Sequence, residues 1–391
     1  MPLFDTAKLD DLMGQADLDV IIATSKHNVQ YLTDGHRFFF FDYMDAIGVS
    51  RYLPVVVYVR GDVASTAYIA NVMESWQLDV APIWISDVST STWGVQDAIA
   101  AAVAHIKTAV GNRRVRVGIE ASFLPVEAYL PLLDVEQFEL SDAQFTLERL
   151  RASKRPDELV TMRKASELII DSMAAVLARC GEGHTKREIV EEFRREQTNR
   201  GLIFEYCLVS MGPSHNRAPS EQPWNHGDVL CLDSGGNLGG YIGDLARMGV
   251  LGEPDAELVD LLAEVEAIQQ AARQPIRGGV VGQEIFDAAL AVKRRSPHDG
   301  VTTFVGHGMG LISHEAPRLT HTGPVPYPAT DAPLPLEVGM VLSIETTMLH
   351  PTRGFIKLED TVAVTETGYE AFGDHARGWT RSTAESAAIS H

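Results

Sequence analysis

Apolar positions in the first part of the chain fall into short β-rich runs separated by stretches with helical spacing. Leu18-Asp-Val-Ile-Ile-Ala23 and Leu53-Pro-Val-Val-Val-Tyr-Val59 read as strands, and Val117-Gly-Ile-Glu120 resembles them. Gly94 to Val110 carries the apolar stripe of an amphipathic helix. An aromatic run, Phe38-Phe-Phe-Phe41-Asp-Tyr43, follows Tyr31-Leu-Thr-Asp-Gly35. It reads either as a hydrophobic core strand or as a surface that meets a ligand or a second subunit.

Ser153-Lys-Arg-Pro-Asp157 marks a boundary, with Pro suited to a first helical turn. The helix that follows has Leu159, Met162, Leu168, Ile169, Met173, Val176 and Leu177 on one stripe. Thr185-Lys-Arg-Glu188 is a capping-box pattern opening a second helix through Ile189, Val190 and Phe193. The plan then recurs. Pro156-Asp-Glu-Leu-Val160 returns loosely as Pro254-Asp-Ala-Glu-Leu-Val259, and Glu188-Ile-Val190 as Glu284-Ile-Phe286. Gly227-Asp-Val-Leu-Cys-Leu-Asp233 is echoed by Gly339-Met-Val-Leu-Ser-Ile-Glu345. The shared order of these matches predicts two copies of one helix–helix–strand–strand unit. The stretch from Gly373 to His391 is small and polar and reads as a tail that frays at its end.

A length of 391 residues allows two domains, each with its own core. The formal charge of 33 − 53 = −20 argues against phosphate backbones and anionic lipid as partners. No basic start followed by an apolar run suggests a signal peptide, and no run is long enough to span a bilayer. Cys180, Cys207 and Cys231 have no ligand-like spacing and read as buried free thiols. A cytoplasmic protein is expected.

The chemistry concentrates in the echoed segments. Asp233 is expected to end the strand that begins at Val229. Ser-Gly-Gly-Asn-Leu-Gly-Gly makes the turn, and the chain returns through Tyr241-Ile-Gly to Asp244. Glu345 is expected to end a second strand, with Pro351-Thr-Arg-Gly354 as the turn and Ile356-Lys-Leu-Glu359 as the return. Each hairpin brings two carboxylates close together on a sheet, where they need a cation, a shared proton or a basic partner. Any one of these acids alone is better read as an edge or turn residue. Four at matched positions form an oxygen-rich cage. His307, in Phe304-Val-Gly-His-Gly-Met-Gly310, follows an apolar strand between glycines that admit a close approach, and imidazole suits a transition metal. His314-Glu315 and His215 gain meaning only if the cage is real. Gly235 to Gly240 lacks the Lys-Ser/Thr ending of a phosphate loop, and there is no Gly-x-Ser-x-Gly nucleophile elbow.

Together these residues resemble the pita-bread metallohydrolases, the family of methionine aminopeptidase, aminopeptidase P, prolidase and creatinase. The motifs are Gly240-Tyr-Ile-Gly-Asp244 with Asp233, Gly306-His-Gly-Met-Gly-Leu311 with His314-Glu315, Ser343-Ile-Glu345, and Leu358-Glu-Asp-Thr-Val362. Asn28-Val-Gln-Tyr-Leu-Thr33 resembles the N-terminal domain of creatinase and prolidase. The resemblance implies an α/β (α+β) architecture. A creatinase-like N-terminal domain at 1–152 is followed by a duplicated, pseudo-twofold catalytic domain at 153–391.

By the same resemblance, Asp244 and Glu359 bridge two divalent ions. Asp233 completes one shell, and His307 with Glu345 the other. Mn²⁺ heads the candidates, with Co²⁺, Fe²⁺ or Zn²⁺ as alternatives. A bridging hydroxide would attack a carbonyl carbon, with Glu345 as proton shuttle and His215 and His314 as hydrogen-bond donors. Thr303, Arg318, Tyr241, Phe40 and Arg37 are the implied substrate contacts. A homodimer is implied too, in which the Phe38–Tyr43 run with His36 and Arg37 closes the partner's pocket.

Four departures touch substrate recognition. Thr303 stands where proline-specific relatives carry His, Thr346 follows Glu345 where Pro is usual, and Lys357 replaces Arg. The loop from His215 to Asp228 is one residue longer than usual. The leading expectation is C–N hydrolysis of a dipeptide or small molecule, with Xaa-Pro dipeptides as default. Creatinase-like or ectoine-hydrolase-like hydrolysis, or dimethylsulfoniopropionate lysis, is the alternative. A silent binding module like the histone-chaperone relatives ranks last, because those have lost the ligands kept here.

Overall fold

The computed structural model describes residues 1–44, 50–320 and 328–382. Contacts divide the chain into two units, Met1–Arg151 and Ala152–His391. The first runs α1 (Thr6–Gln15), β1 (Val20–Ala23), α2 (Lys26–Leu32), β2 (Val55–Val59), β3 (Asp62–Asn71), α3 (Ser75–Val80), β4 (Asp87–Thr92), α4 (Val95–Val110), β5 (Val115–Ile119), α5 (Val126–Leu133), β6 (Phe138–Asp142) and α6 (Gln144–Ala152). Its six strands form one mixed sheet in the order β4-β3-β2-β1-β5-β6. Every residue of β1 and β2 is buried, which is why these strands read as unbroken apolar runs. The stripe of α4, with Val95, Ala98, Ile99, Ala102 and Ile106, packs into the same core.

The aromatic run is not a strand. Phe39–Tyr43 is a 3-10 turn that buries Phe38 and Phe41 and exposes Phe39 and Tyr43. The ring spacing of four consecutive aromatics suits a turn that alternates between core and solvent better than a two-faced strand. His36 is buried and pairs through Nε2 with Glu74 at 2.9 Å. Arg37 contacts Gln30 at 2.9 Å and Asp42 at 3.3 Å, and Phe40 lies half-buried against Tyr43.

The second unit runs α7 (Pro156–Arg179), α8 (Lys186–Asn199), β7 (Ile203–Met211), β8 (Val229–Leu238), β9 (Tyr241–Leu251), α9 (Ala256–Arg273), α10 (Gln283–Lys293), β10 (Thr302–Gly308), β11 (Val341–His350), β12 (Gly354–Val364), β13 (Tyr369–Phe372) and β14 (Thr380–Ser382). Pro156 opens α7, and the Glu158 carboxylate accepts the Arg155 N–H at 2.8 Å. Thr185 and Glu188 form the reciprocal cap of α8. The apolar stripe of α7 packs on β8 and β9 in one core with Phe193 of α8. Each fully buried Ile or Leu there is worth roughly 1.5–3 kcal/mol.

Six strands lie in the order β10-β11-β12-β9-β8-β7, with β13 beside β12 and β14 beside β9. Read outward from the β9–β12 seam, both halves present a hairpin, an edge strand and a preceding helix pair. This is the duplicated, pseudo-twofold architecture.

Two strands run further than the chain pattern suggests. β8 does not stop at Asp233 but continues through Leu238 and turns only at Gly239-Gly240, where both φ angles are positive. Gly235 serves packing instead of turning: a Cβ there would meet the Tyr206 ring at 2.5 Å. β11 likewise continues past Glu345 to His350. The polar tail also contributes structure, since Thr380–Ser382 pairs with β9; residues 383–391 lie outside the described residues. No helix among the described residues is long and apolar enough to cross a membrane.

Candidate metal centre

Strand register sets the site. Asp233 on β8 pairs with Ala246 on β9, which pairs with Glu359 on β12; Glu359 pairs with Glu345 on β11, which pairs with Val305 on β10. Those residues make one straight row across five strands. Because side chains alternate faces, a step of two keeps the face. Asp244 is two residues from Ala246, and His307 two from Val305. All five therefore project from one side of the sheet. Ala246, fully buried, contributes only a methyl group in the middle of the row.

The carboxylates are taken out of water without enough partners. Asp233, Asp244 and Glu359 are at most 3% exposed, and His307 is wholly buried. Asp244 Oδ1 and His307 Nε2 have no hydrogen-bond partner among the described residues. Glu359 Oε2 also lacks an aligned donor, although Lys357 Nζ lies 2.8 Å away as an ion pair. Buried polar atoms are rarely left so. Burial first, then the charges of Glu359 and Asp233, pushes Asp244 well above the ordinary carboxylate range. Burial likewise raises Asp233 and Glu359, with Lys357 opposing in both.

His307 is set up as a neutral donor of a lone pair. Its Nδ1–H faces the Gly308 carbonyl at 3.1 Å, which fixes the tautomer and leaves Nε2 free. Burial pushes its pKa down to about 4. His314 stacks on it with ring centroids 3.7 Å apart, and burial with the neighbouring His307 holds it at about 4 as well. Donor atoms gather in three overlapping sets within 4.8 Å: Asp244 with His307 and His314, His307 with Glu345 and Glu359, and Asp233 with Asp244 and Glu359. Mixed carboxylate and imidazole donors with orphaned lone pairs fit one or more divalent transition ions.

Three further side chains support these donors. Tyr206 lies across Gly235 and hydrogen-bonds Asp244. Lys357, two residues before Glu359, points its ammonium at Asp233, at Glu345 (2.5 Å) and at Glu359. Burial alone would lower its pKa, but Asp233, Glu345 and Glu359 hold it well above the usual range. Arg217 reaches Asp233 from the loop after β7. The pattern signal for Lys357 is its even spacing from Glu359; Arg217 and Tyr206 have no local signal.

The remaining expected residues are spread around this centre. Thr303 is exposed on the face of β10 that carries His307, its hydroxyl 3.4 Å from the Thr347 carbonyl. His215 is exposed, edge-on to Phe355 at 6.0 Å and 3.4 Å from the His350 carbonyl, outside the carboxylate cluster. Arg318 is buried, with its backbone N–H on Asp331 at 2.7 Å. Tyr241 is turned away: at an odd step from Asp244 it faces α7 and donates to Glu158 at 2.6 Å. Arg37 and Phe40 belong to the first unit.

The sequence profile of metallopeptidase family M24 matches residues 160–366, and that of the creatinase/prolidase N-terminal domain matches 6–153. The "Probable dipeptidase PepE" of Mycobacterium tuberculosis is 29% identical over 273 residues, covering 67% of this chain and 69% of the relative. The Xaa-Pro dipeptidase of Pyrococcus furiosus is 28% identical over 261 residues, covering 64% and 72%. Among solved structures, an Xaa-Pro dipeptidase from Bacillus anthracis superposes with a TM-score of 0.79 at 20% identity, covering 96% of this chain and 98% of its own.

Proposed function

The chain belongs to metallopeptidase family M24, and from that premise we propose that it hydrolyses the C–N bond of a dipeptide, Xaa-Pro dipeptides being the default substrate. The observation that carries the reading is the row of buried acids with His307, in which Asp244 Oδ1 and His307 Nε2 have no hydrogen-bond partner among the described residues. In this reading Asp233, Asp244, His307, Glu345 and Glu359 would together hold the divalent ions. The ions, when bound, supply Lewis acidity and a water of lowered pKa.

The chain's own residues do the rest. Glu345 has a side chain 15% exposed, against 4% or less for Asp233 and Glu359, so it can exchange a proton with solvent and shuttle it to the leaving nitrogen. His314 is neutral at pH 7 and donates an N–H toward the developing oxyanion. His215 takes its part at the mouth, beside Phe355. Tyr206 holds one Asp244 oxygen so that the other faces inward. Burial of the row excludes bulk water from the reacting carbonyl.

A second reading draws on Thr303, an exposed hydroxyl on the site face where a proline-selecting imidazole is expected. It favours a small non-peptide substrate handled by the same centre. The experiment strips metal from the protein, restores Mn²⁺, Co²⁺, Fe²⁺ or Zn²⁺ in turn, and offers Xaa-Pro dipeptides, creatine-like and ectoine-like amides, and dimethylsulfoniopropionate. Metal-restored cleavage of the dipeptides alone supports the first reading. Cleavage confined to the other compounds replaces it with the second.

A further inference from the structure

A buried ion pair close to the metal centre takes no part in the proposed chemistry. Lys154 Nζ donates to Glu315 Oε1 and to the Ala152 carbonyl, each at 3.1 Å, with the two charged side chains 1% and 0% exposed. Glu315 belongs to none of the donor sets that can hold an ion. Taking two charges out of water gains little stability over a well-packed apolar pair. What such a pair can supply is a fixed geometry.

The geometry it fixes is that of the loop carrying His314. Glu315 is the point where the loop after β10 rejoins the sheet, its N–H donating to the Gly308 carbonyl at 3.0 Å. Lys154 is tied in just ahead of β11, where its own N–H donates to the Gly339 carbonyl at 2.9 Å. Two glycines make room for the pair. Gly339 has a φ of +87°, and a Cβ there would meet the Lys154 carbonyl oxygen at 2.8 Å. A Cβ on Gly310 would meet Glu315 Oε1 at 2.3 Å and Lys154 Cε at 2.8 Å. The loop is thus wrapped around the ion pair.

His314 leaves this loop immediately before Glu315 and stacks on His307 with ring centroids 3.7 Å apart. Any shift of Glu315 is therefore passed to the neighbouring ring. A misplacement of about 1 Å at a reacting group can cost on the order of a hundredfold in rate. We propose that Lys154 is a positioning residue. Its ammonium holds Glu315, and through Glu315 it sets the angle from which His314 donates to the developing oxyanion. This rests on the peptidase reading above and on the part His314 plays in it.

The test uses the metal-loaded full chain with Ala-Pro as substrate, and measures KM, kcat and bound metal by plasma mass spectrometry. The variants are Lys154→Met, His314→Phe, the two combined, and Lys154→Met paired with Glu315→Gln, which removes both buried charges. Lys154→Met should lower kcat about 10–100-fold, with KM and metal content unmoved. His314→Phe should lose at least as much, and adding Lys154→Met to it should cost nothing more, because the lysine acts only through that ring. The paired variant should show the same loss as Lys154→Met. A crystal structure of the paired variant should show the His314 ring displaced from His307. Losses that multiply in the combined variant overturn the proposal, as does a paired variant with wild-type kcat. A paired variant that fails to fold or loses its metal also overturns it, assigning the ion pair to stability or to the donors. A wild type that cleaves no dipeptide removes the peptidase reading, and the crystal structure then decides the positioning role by itself: a ring still stacked on His307 overturns it.

Discussion

Glu359 and Asp360 are neighbours on β12, both almost fully buried, and they project from opposite faces of the same sheet. On the helix side, Asp360 meets Arg247 at 3.1 Å, Arg273 at 2.8 Å, Arg377 at 2.5 Å and the Gln269 amide at 2.7 Å. Those guanidiniums overcome the cost of burial and hold its carboxyl far below the usual range. On the site side, Glu359 shares one ammonium with two other acids, and burial raises its pKa. Burial therefore does not distinguish a working acid from a structural one. The supply of partners does: Asp360 is saturated and fastens the sheet to its helices, whereas Glu359 is left short where a cation belongs.

The comparison breaks most visibly in activity. Glu359→Gln should lower turnover on the order of a thousandfold and reduce bound metal, while changing the free energy of urea unfolding of the metal-free chain by less than about 1 kcal/mol. A variant that keeps both metal and turnover would return Glu359 to the structural class. Asp360→Ala should do the reverse. It removes the acid shared by the buried Arg247 and Arg273 and the half-buried Arg377, and should cost about 3–5 kcal/mol in equilibrium unfolding, whether metal is present or not. An Asp360→Ala chain as stable as the wild type would show that the arginines relax to water.

The smallest effect sharpens the contrast on the site face itself. Lys357 competes with a divalent ion for Asp233, Glu345 and Glu359. Lys357→Met should tighten metal binding about tenfold by calorimetry on the metal-free chain. Weaker binding would mean that the ammonium orients the acids more than it competes for them.

Much of this was visible along the chain because it is periodic. The repeat of Gly227–Asp233 in Gly339–Glu345 announces the duplicated hairpins, and the buried strands β1 and β2 appear as plain apolar runs. What escaped depends on pairing between distant segments. Asp233 and Glu345 look like strand ends, since turn-rich Ser234–Gly240 and Pro351–Gly354 come after them, yet both strands continue because neighbouring strands satisfy the backbone. Tyr206 and Arg217 carry no local mark; they matter because register lays one over Gly235 and a pinned loop aims the other at Asp233. β14 is three polar residues whose strand character comes from pairing with Gly249–Leu251 of β9. Tyr241 is a substrate contact by the resemblance alone, and its odd step from Asp244 turns it to Glu158 of α7.

Ala246 has a consequence for how such a chain can change over generations. It lies in the row between Asp233 and Glu359, contributing a methyl group where its neighbours contribute charge. A bulkier residue there would crowd the acids on either side, with every ligand still encoded. The helix face, fastened through Asp360, would feel little of it. A single substitution at one small position could thus retire the chemistry and spare the scaffold, leaving a folded body free to be recruited for something else.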